Sequence, residues 1–412
     1  MKPASTEPRI DLGAVRHGWF VPWNVTRPAS GAPIRSYHFM RDLAAGRGFT
    51  VLMPIEETGV TSPYPPLEGV DVREYPRGRF SRLRGRLILN PASRSARGPT
   101  LRAIVRQLAD SGQITPRSWL VCDSAYLAAP LLRLATKTGA QLVYSSHNCE
   151  TSVWRQLLAS SRRPGQRLEA WLALSEIRSQ ERSLACAARA VWCCSERDAD
   201  LMVRLSPATS GKTIVAANGV NGSVVRLQPT GRIIPAHLCH VGYLETGVTH
   251  EACVFLIREV LPRVRAALPG VRLTIAGRDA RPALRQMAGN GVEVVSPLGD
   301  PNDLLGQVRL SVVPLLQGGG TRLKILESLA AGRPVVSTTK GAEGLDLDSL
   351  AGVTVADGPA ALADAILAEL RSPLEAGRAE ELRSRVLSRY DWDTITARLL
   401  ETMGERFGSP WP

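Results

Sequence analysis

The sequence predicts an α/β protein built from two open parallel-sheet domains in tandem. Three observations carry this. The chain has 412 residues, enough for two domains of about 200 residues each. Short apolar segments alternate with amphipathic helical stretches along its whole length, the pattern of parallel sheets with crossover helices. That series is interrupted once, at 222–236 (GSVVRLQPTGRIIPA), where Gly, Pro and polar residues precede a fresh strand and read as a linker.

The first half offers strands at 15–22, 48–54, 118–122, 141–145, 189–193 and 213–216, and helices at 34–45 and 167–187. The second half offers strands at 237–242, 271–276, 291–295, 309–313, 334–337 and 353–355, with helices at 251–267, 321–331 and 359–370. The expected domains are therefore 1–222 and 237–390. The segment 391–412, helical from Trp392 to about Phe407, is expected to pack back on the N-terminal domain. In open parallel sheets ligands bind beyond the carboxyl ends of the strands, so residues just after each strand are the ones to inspect.

Composition excludes several classes. Apolar residues make up 44% and charged residues 22%, as in an ordinary globular protein. No apolar run approaches the ~18 residues of a membrane span. The opening MKPASTEPRIDLG lacks the apolar core of a signal peptide, so a cytoplasmic location is expected. Seven cysteines, an odd number with no C-x-x-C pair, read as small buried apolar residues.

Charge is unevenly spread. Residues 1–225 hold 30 Lys+Arg against 17 Asp+Glu, whereas 226–412 hold 21 of each. Eleven arginines fall within 73–117, with Glu74 and Asp110 the acids there. Two readings stand: a solvated surface in an Arg-biased sequence, or an anionic partner such as a phosphate-bearing lipid, an anionic glycan or the inner membrane face. Sparse aromatic interleaving argues against a base-stacking nucleic-acid platform.

The strongest local signal is 318–338, GGGTRLKILESLAAGRPVVST, between the strands LSVVP and PVVST. Gly318, Gly319 and Gly320 form a side-chain-free loop that lets backbone N–H groups approach a ligand. Thr321 is the expected N-cap and first position of the helix; Gly332 and Pro334 end it. A helix N-terminus after such a loop attracts anions. Arg322 and Lys324 add positive charge where the helix dipole prefers acids, a conflict that an anionic ligand would offset. Glu327, one turn from Lys324, can accept two hydrogen bonds from the hydroxyls of a ribose.

This segment resembles the nucleotide-sugar site of retaining glycosyltransferases of family 4 (glycosyl transferases group 1). The resemblance implies the GT-B fold, two Rossmann-like domains facing across a cleft. It implies a nucleoside diphosphate-sugar donor, UDP- or GDP-linked, with the diphosphate on Arg322, Lys324, Gly320 and Thr321 and the ribose on Glu327. Many members carry a second glutamate eight residues before the first. That position is Gly319 here, so the sugar is left open.

Other stretches extend the resemblance. GAPIRSYHFMRDLAAGRG (31–48) looks like the first glycine loop and helix, with Gly31 near the donor or acceptor. VYSSHNCE (143–150) ends a strand with His147, which in the family reaches the donor sugar; Glu150 caps the next helix or joins the site. HVGYLETG (240–247) resembles the donor domain's glycine loop at Gly242, without the Arg and Lys that many members place there. IAGRDA (275–280), with Gly277 and Arg278, and PLGDPND (297–303) fall where the family holds the base. No D-x-D loop or His/Cys cluster suggests a metal, and no cofactor is implied. The expected reaction is sugar transfer to the hydroxyl of a glycan, lipid-linked or small-molecule acceptor with retention, His147, Lys324 and Arg322 acting at the reacting centre. The alternatives are a GT-B sugar-nucleotide epimerase, a non-catalytic nucleotide-sugar-binding protein and, on charge alone, a nucleic-acid-binding protein.

Overall fold

The computed structural model describes residues 12–26, 28, 31–55, 64–76, 99–161, 164–319, 322–373, 375, 377–407 and 411–412. Seven of the eleven arginines of 73–117, together with Gly320 and Thr321, lie outside the described residues. The chain forms two compact units, one of residues up to Ala216 with Thr396–Pro412, the other Ala217–Ile395.

The first unit contains β1 (His17–Phe20), α1 (Gly31–Leu43), β2 (Phe49–Pro54), β3 (Asp71–Tyr75), α2 (Pro99–Ser111), β4 (Trp119–Cys122), α3 (Ala128–Thr138), β5 (Gln141–Ser145), α4 (Glu150–Ser160), α5 (Pro164–Ala187), β6 (Ala190–Cys193), α6 (Glu196–Leu205) and β7 (Thr213–Val215). Its sheet is parallel throughout, in the order β3-β2-β1-β4-β5-β6-β7. The strands β1, β2, β4 and β6 are buried along their whole length, as both-face burial demands of apolar parallel strands. Edge strand β3, DVREY, exposes Asp71 and Glu74 and buries only Tyr75. Charge protects such an edge and also hid it from a search for apolar runs.

The second unit runs β8 (His237–Tyr243), α7 (Gly247–Phe255), α8 (Leu261–Ala267), β9 (Arg272–Arg278), α9 (Pro282–Arg285), β10 (Val292–Val295), α10 (Pro301–Leu305), β11 (Leu310–Val313), α11 (Leu323–Ala330), β12 (Val335–Ser337), β13 (Val353–Val355), α12 (Pro359–Arg371), α13 (Arg378–Tyr390) and α14 (Trp392–Phe407), the last continuing into the first unit. Its parallel sheet has the order β10-β9-β8-β11-β12-β13. Both sheets reverse direction of growth beside their first strand, between β1 and β4 and between β8 and β11, where such folds bind ligands. The Rossmann-like fold class expected from the sequence is thus found twice.

Three local expectations are corrected. The helix expected over 251–267 is interrupted by a wider turn at Leu256–Val260, ahead of Pro262, whose ring cannot continue a regular helix. Cys186 is exposed, unlike the other six cysteines. Helix α11 begins at Leu323 with Arg322 as its N-cap residue, in extended backbone, rather than at Thr321.

Each unit has its own core. Leu120, Leu131, Leu142 and Leu184 lie in the first and Leu238, Leu256, Ile275 and Val336 in the second. The first unit also encloses the chain's end. Trp411 stacks on Phe49 at 5.4 Å and 17° and lies 5.2 Å from Trp119 and 5.4 Å from Trp192. Its indole N–H donates to the Leu43 carbonyl at 2.6 Å.

Candidate functional site

In the second unit the glycine loop leads from β11 into α11. Ile325, Leu326, Leu329 and Ala330 bury one face of that helix, and this leaves Lys324 and Glu327 half-buried one turn apart. Arg322 makes no side-chain cap at the start of this helix, where the first backbone N–H groups have no partner within the helix. Its guanidinium donates to the Gly319 carbonyl at 2.7 Å and reaches the Lys340 carbonyl at 3.5 Å. Gly318, at φ 111°, lies against it.

Lys324 is directed at the end of β8. A Cβ on Gly242 would stand 2.9 Å from the Lys324 ammonium and 3.1 Å from Thr249. The glycine therefore leaves the space that brings lysine to the sheet's switch point. Burial lowers the ammonium to about 8; Arg322 pushes the same way, while Cys253 and Glu327 oppose it. Burial raises the Glu327 carboxyl, against the pull of Lys324. A desolvated ammonium beside a helix N-terminus suits an anion.

Gly277 pairs with Gly242 in the β8–β9 ladder. Its φ is 152°, and an added Cβ would fall 1.7 Å from the Gly242 carbonyl oxygen. This backbone contact by itself requires glycine at position 277. Arg278 sits over the Tyr243 ring at 4.9 Å and pairs with Asp279 at 3.2 Å.

Two groups here escaped the sequence reading. Arg281 donates to the Glu245 carbonyl at 2.7 Å, bringing positive charge to the loop that lacks its own. His240 is buried, and its Nδ1–H donates to the Val312 carbonyl at 2.8 Å. Its Nε2 therefore carries a lone pair. That nitrogen has no hydrogen-bond partner among the described residues and lies 3.7 Å from the Gly242 Cβ position. Burial, with Lys324, lowers this imidazole to about 3.

In the first unit His147 follows β5. Its Nε2 meets Asp123 Oδ1 at 3.0 Å, and Trp23 packs edge-on at 4.9 Å. Asp123 follows β4 and is fully buried. Ser36 of α1 donates to its other oxygen at 2.5 Å and accepts from the Trp23 indole at 3.0 Å. Burial alone would raise the Asp123 carboxyl, but His147 and Ser36 hold it below its usual value. A single acid after an apolar strand, VCD, was the available signal for it. Gly31 opens α1 at an exposed position, on a different segment from His147.

Glu150 does not cap α4. Glu181, from α5, takes that place. It accepts from the backbone N–H of Glu150 and of Thr151 at 2.8 Å each, from the Thr151 hydroxyl at 2.6 Å and from Tyr144 at 3.0 Å. The Glu150 carboxyl instead accepts from Tyr126 at 3.1 Å and Asn148 at 3.2 Å. Among the described residues no group of three or more His, Cys, Asp or Glu could hold a metal ion.

The structure thus brings Gly242, Gly277, Arg278, Gly319, Arg322, Lys324 and Glu327 to the carboxyl end of one sheet, and His147 to that of the other. Residues 235–372 match the family described as Glycosyl transferases group 1. A phosphatidyl-myo-inositol mannosyltransferase of Mycobacterium leprae is 30% identical over 152 residues, which is 35% of this chain and 41% of that protein. The chain thus spans about two-fifths of that relative's length. A glycogen synthase of Mycobacterium tuberculosis is 29% identical over 323 residues, 72% of this chain and 73% of the other. Sucrose-phosphate synthase from Thermosynechococcus elongatus superposes with a TM-score of 0.67 at 16% identity, over 95% of this chain and all of that one (100%). Anabaena Alr3699/HepE in complex with UDP and glucose superposes with a TM-score of 0.64 at 13% identity, over 95% of this chain and 99% of that one. These solved structures share the fold of two Rossmann-like units.

Proposed function

We propose that this protein is a glycosyltransferase that moves a sugar from a nucleoside diphosphate-sugar, UDP- or GDP-linked, to an acceptor hydroxyl with retention of configuration. The observation that carries this is Lys324, drawn against Gly242 at the N-terminus of α11 with Glu327 one turn on, within the stretch that matches glycosyl transferases group 1. In this reading Lys324 and Arg322, with the backbone at Gly319, Gly320 and Thr321, hold the diphosphate. Glu327 takes the ribose, the Gly277–Arg278 end of β9 lies by the base, and His147 positions the sugar. Asp123 is a positioning residue that fixes the imidazole. The bond from the anomeric carbon to the diphosphate breaks, and a bond to the acceptor oxygen forms. The acceptor's proton goes to the departing phosphate, whose growing charge Lys324 and Arg322 stabilise. The acceptor is a glycan, a lipid-linked intermediate or a small molecule, and the basic N-terminal half makes peripheral contact with an anionic membrane.

A second reading, nucleotide-sugar binding without turnover, is favoured by Gly319 standing where many family members have glutamate.

Thermal unfolding with UDP, GDP, ADP and dTDP tests the donor site, with Lys324→Ala alongside. A diphosphate at 100 times its Kd stabilises by about 2.7 kcal/mol. One nucleotide is expected to raise the melting temperature of the wild type and to leave Lys324→Ala unmoved. No shift with any of the four sinks the donor site. Release of the diphosphate in the presence of sugar and acceptor then separates transfer from binding alone.

A further inference from the structure

Helices α4 and α5 form an antiparallel hairpin on the first unit. Trp154, Ala170, Ile177 and Leu184 face inward. On the outer side Leu168, Trp171 and Leu172 are 59%, 57% and 45% exposed, and Leu157 of α4 is 37% exposed. These make up four of the nine large apolar side chains exposed among the described residues. Single exposed apolar residues are ordinary, but a cluster on one element marks a surface that meets something. The spacing 168/171/172 places three of them on one stripe of α5.

The chemistry around the stripe selects the partner. Arg155, Arg167 and Arg178 are exposed on the same two helices. Arg167 and Arg178 fall on one flank of the stripe and Glu169 and Glu176 on the other, at the helix's ~100° per residue. The half of the chain that carries the hairpin, 1–225, has 30 basic against 17 acidic residues. Tryptophan and leucine flanked on one side by arginine suit the boundary between lipid headgroups and acyl chains. There the indole and aliphatic groups leave water while guanidinium groups meet phosphate. A second copy of this chain carries the same excess of basic over acidic residues, which opposes its approach. Among the described residues no helix is long and apolar enough to cross a membrane.

We infer that the rim of the α4–α5 hairpin, centred on Trp171, docks the protein on an anionic lipid bilayer. This gives the membrane contact proposed above its surface, and it stands independently of the transfer reaction. Anionic lipid draws the hairpin in through its arginines, and the stripe then enters the interface.

Co-sedimentation of the full chain with phosphatidylcholine vesicles, with and without about 30% phosphatidylglycerol, tests it at low and high salt. The wild type is expected to pellet with the anionic vesicles and not with the neutral ones. The variant Leu168→Ser/Trp171→Ser/Leu172→Ser is expected to bind at least ~10-fold more weakly, with unchanged thermal unfolding because the three side chains are exposed. No binding of the wild type to anionic vesicles overturns the inference, as does undiminished binding of the variant. Light scattering that shows a wild-type dimer and a monomeric variant also overturns it, because a second copy would then cover the stripe. Nucleotide-induced stabilisation in the same samples reports separately on the donor site.

Discussion

At the residue scale the first unit stores an acid that is out of its usual range. Burial raises the Glu150 carboxyl to about 7, and nearby Glu181 adds to this, while Asn148, Tyr126 and His147 pull it down. The folded chain therefore holds a proton on Glu150 between about pH 4.5 and 7 that the unfolded chain has lost. Stability linked to that proton is present below about 4.5 and is lost as pH rises through about 7. Glutamine keeps the shape without the charge. The Glu150→Gln variant should therefore gain on the wild type as pH rises, with a difference in melting temperature that is larger at pH 8 than at pH 5. Urea or thermal unfolding at a series of pH values checks this, and a difference constant across the range would show that Glu150 does not titrate there. The placement also explains why Glu150 read ambiguously. Its position at the head of α4 is that of a capping acid, but the acceptor for those N–H groups comes from Glu181, 31 residues on. Contacts between separate elements leave no local pattern, and Asp123 with Ser36, 87 residues apart, was hidden in the same way.

At the element scale the strands and the glycine loop were legible because each is a local pattern. Apolar β-branched runs marked the central strands. Three glycines followed by a basic helix start marked the candidate site, even though the first helical residue came two positions later than expected. What was not legible is what each glycine is for. Gly242 and Gly277 read as one kind of ligand-facing residue, yet they face different neighbours in the β8–β9 pair. At Gly277 a side chain meets fixed backbone 1.7 Å away, at a φ that side chains rarely adopt. At Gly242 it meets the movable end of Lys324. Gly277→Ala should therefore cost more than about 3 kcal/mol in denaturant unfolding. Gly242→Ala should stay within about 1 kcal/mol of wild type but weaken nucleotide diphosphate binding about tenfold by displacing the ammonium. Equal stability losses in the two variants would contradict this division.

At the scale of the whole molecule, chain order and core membership diverge at the C-terminus. The segment 391–412 is expected from the sequence to pack back on the N-terminal domain, and Thr396–Pro412 belongs to the first compact unit. Thr396 donates to Asp42 at 2.9 Å, the Trp192 indole donates to Met403 sulfur at 3.5 Å, and Trp411 lies among Phe49, Trp119 and Trp192. A sheet made of the chain's first half is thus completed by its last residues, and each sheet has its own core. The two units should then respond to different perturbations. Trp411→Ala removes a buried indole, a change that typically costs about 3–5 kcal/mol, and should loosen β1–β7. A nucleoside diphosphate on α11 should protect β8–β13. Hydrogen exchange read peptide by peptide separates the two responses, because local opening reports the stability of the unit that opens. Faster exchange confined to the first sheet in Trp411→Ala, with nucleotide protection confined to the second, is the expected pattern. Loosening of β8–β13 by Trp411→Ala to the same degree would mean that the chain unfolds as one cooperative block and that the last residues stabilise both cores.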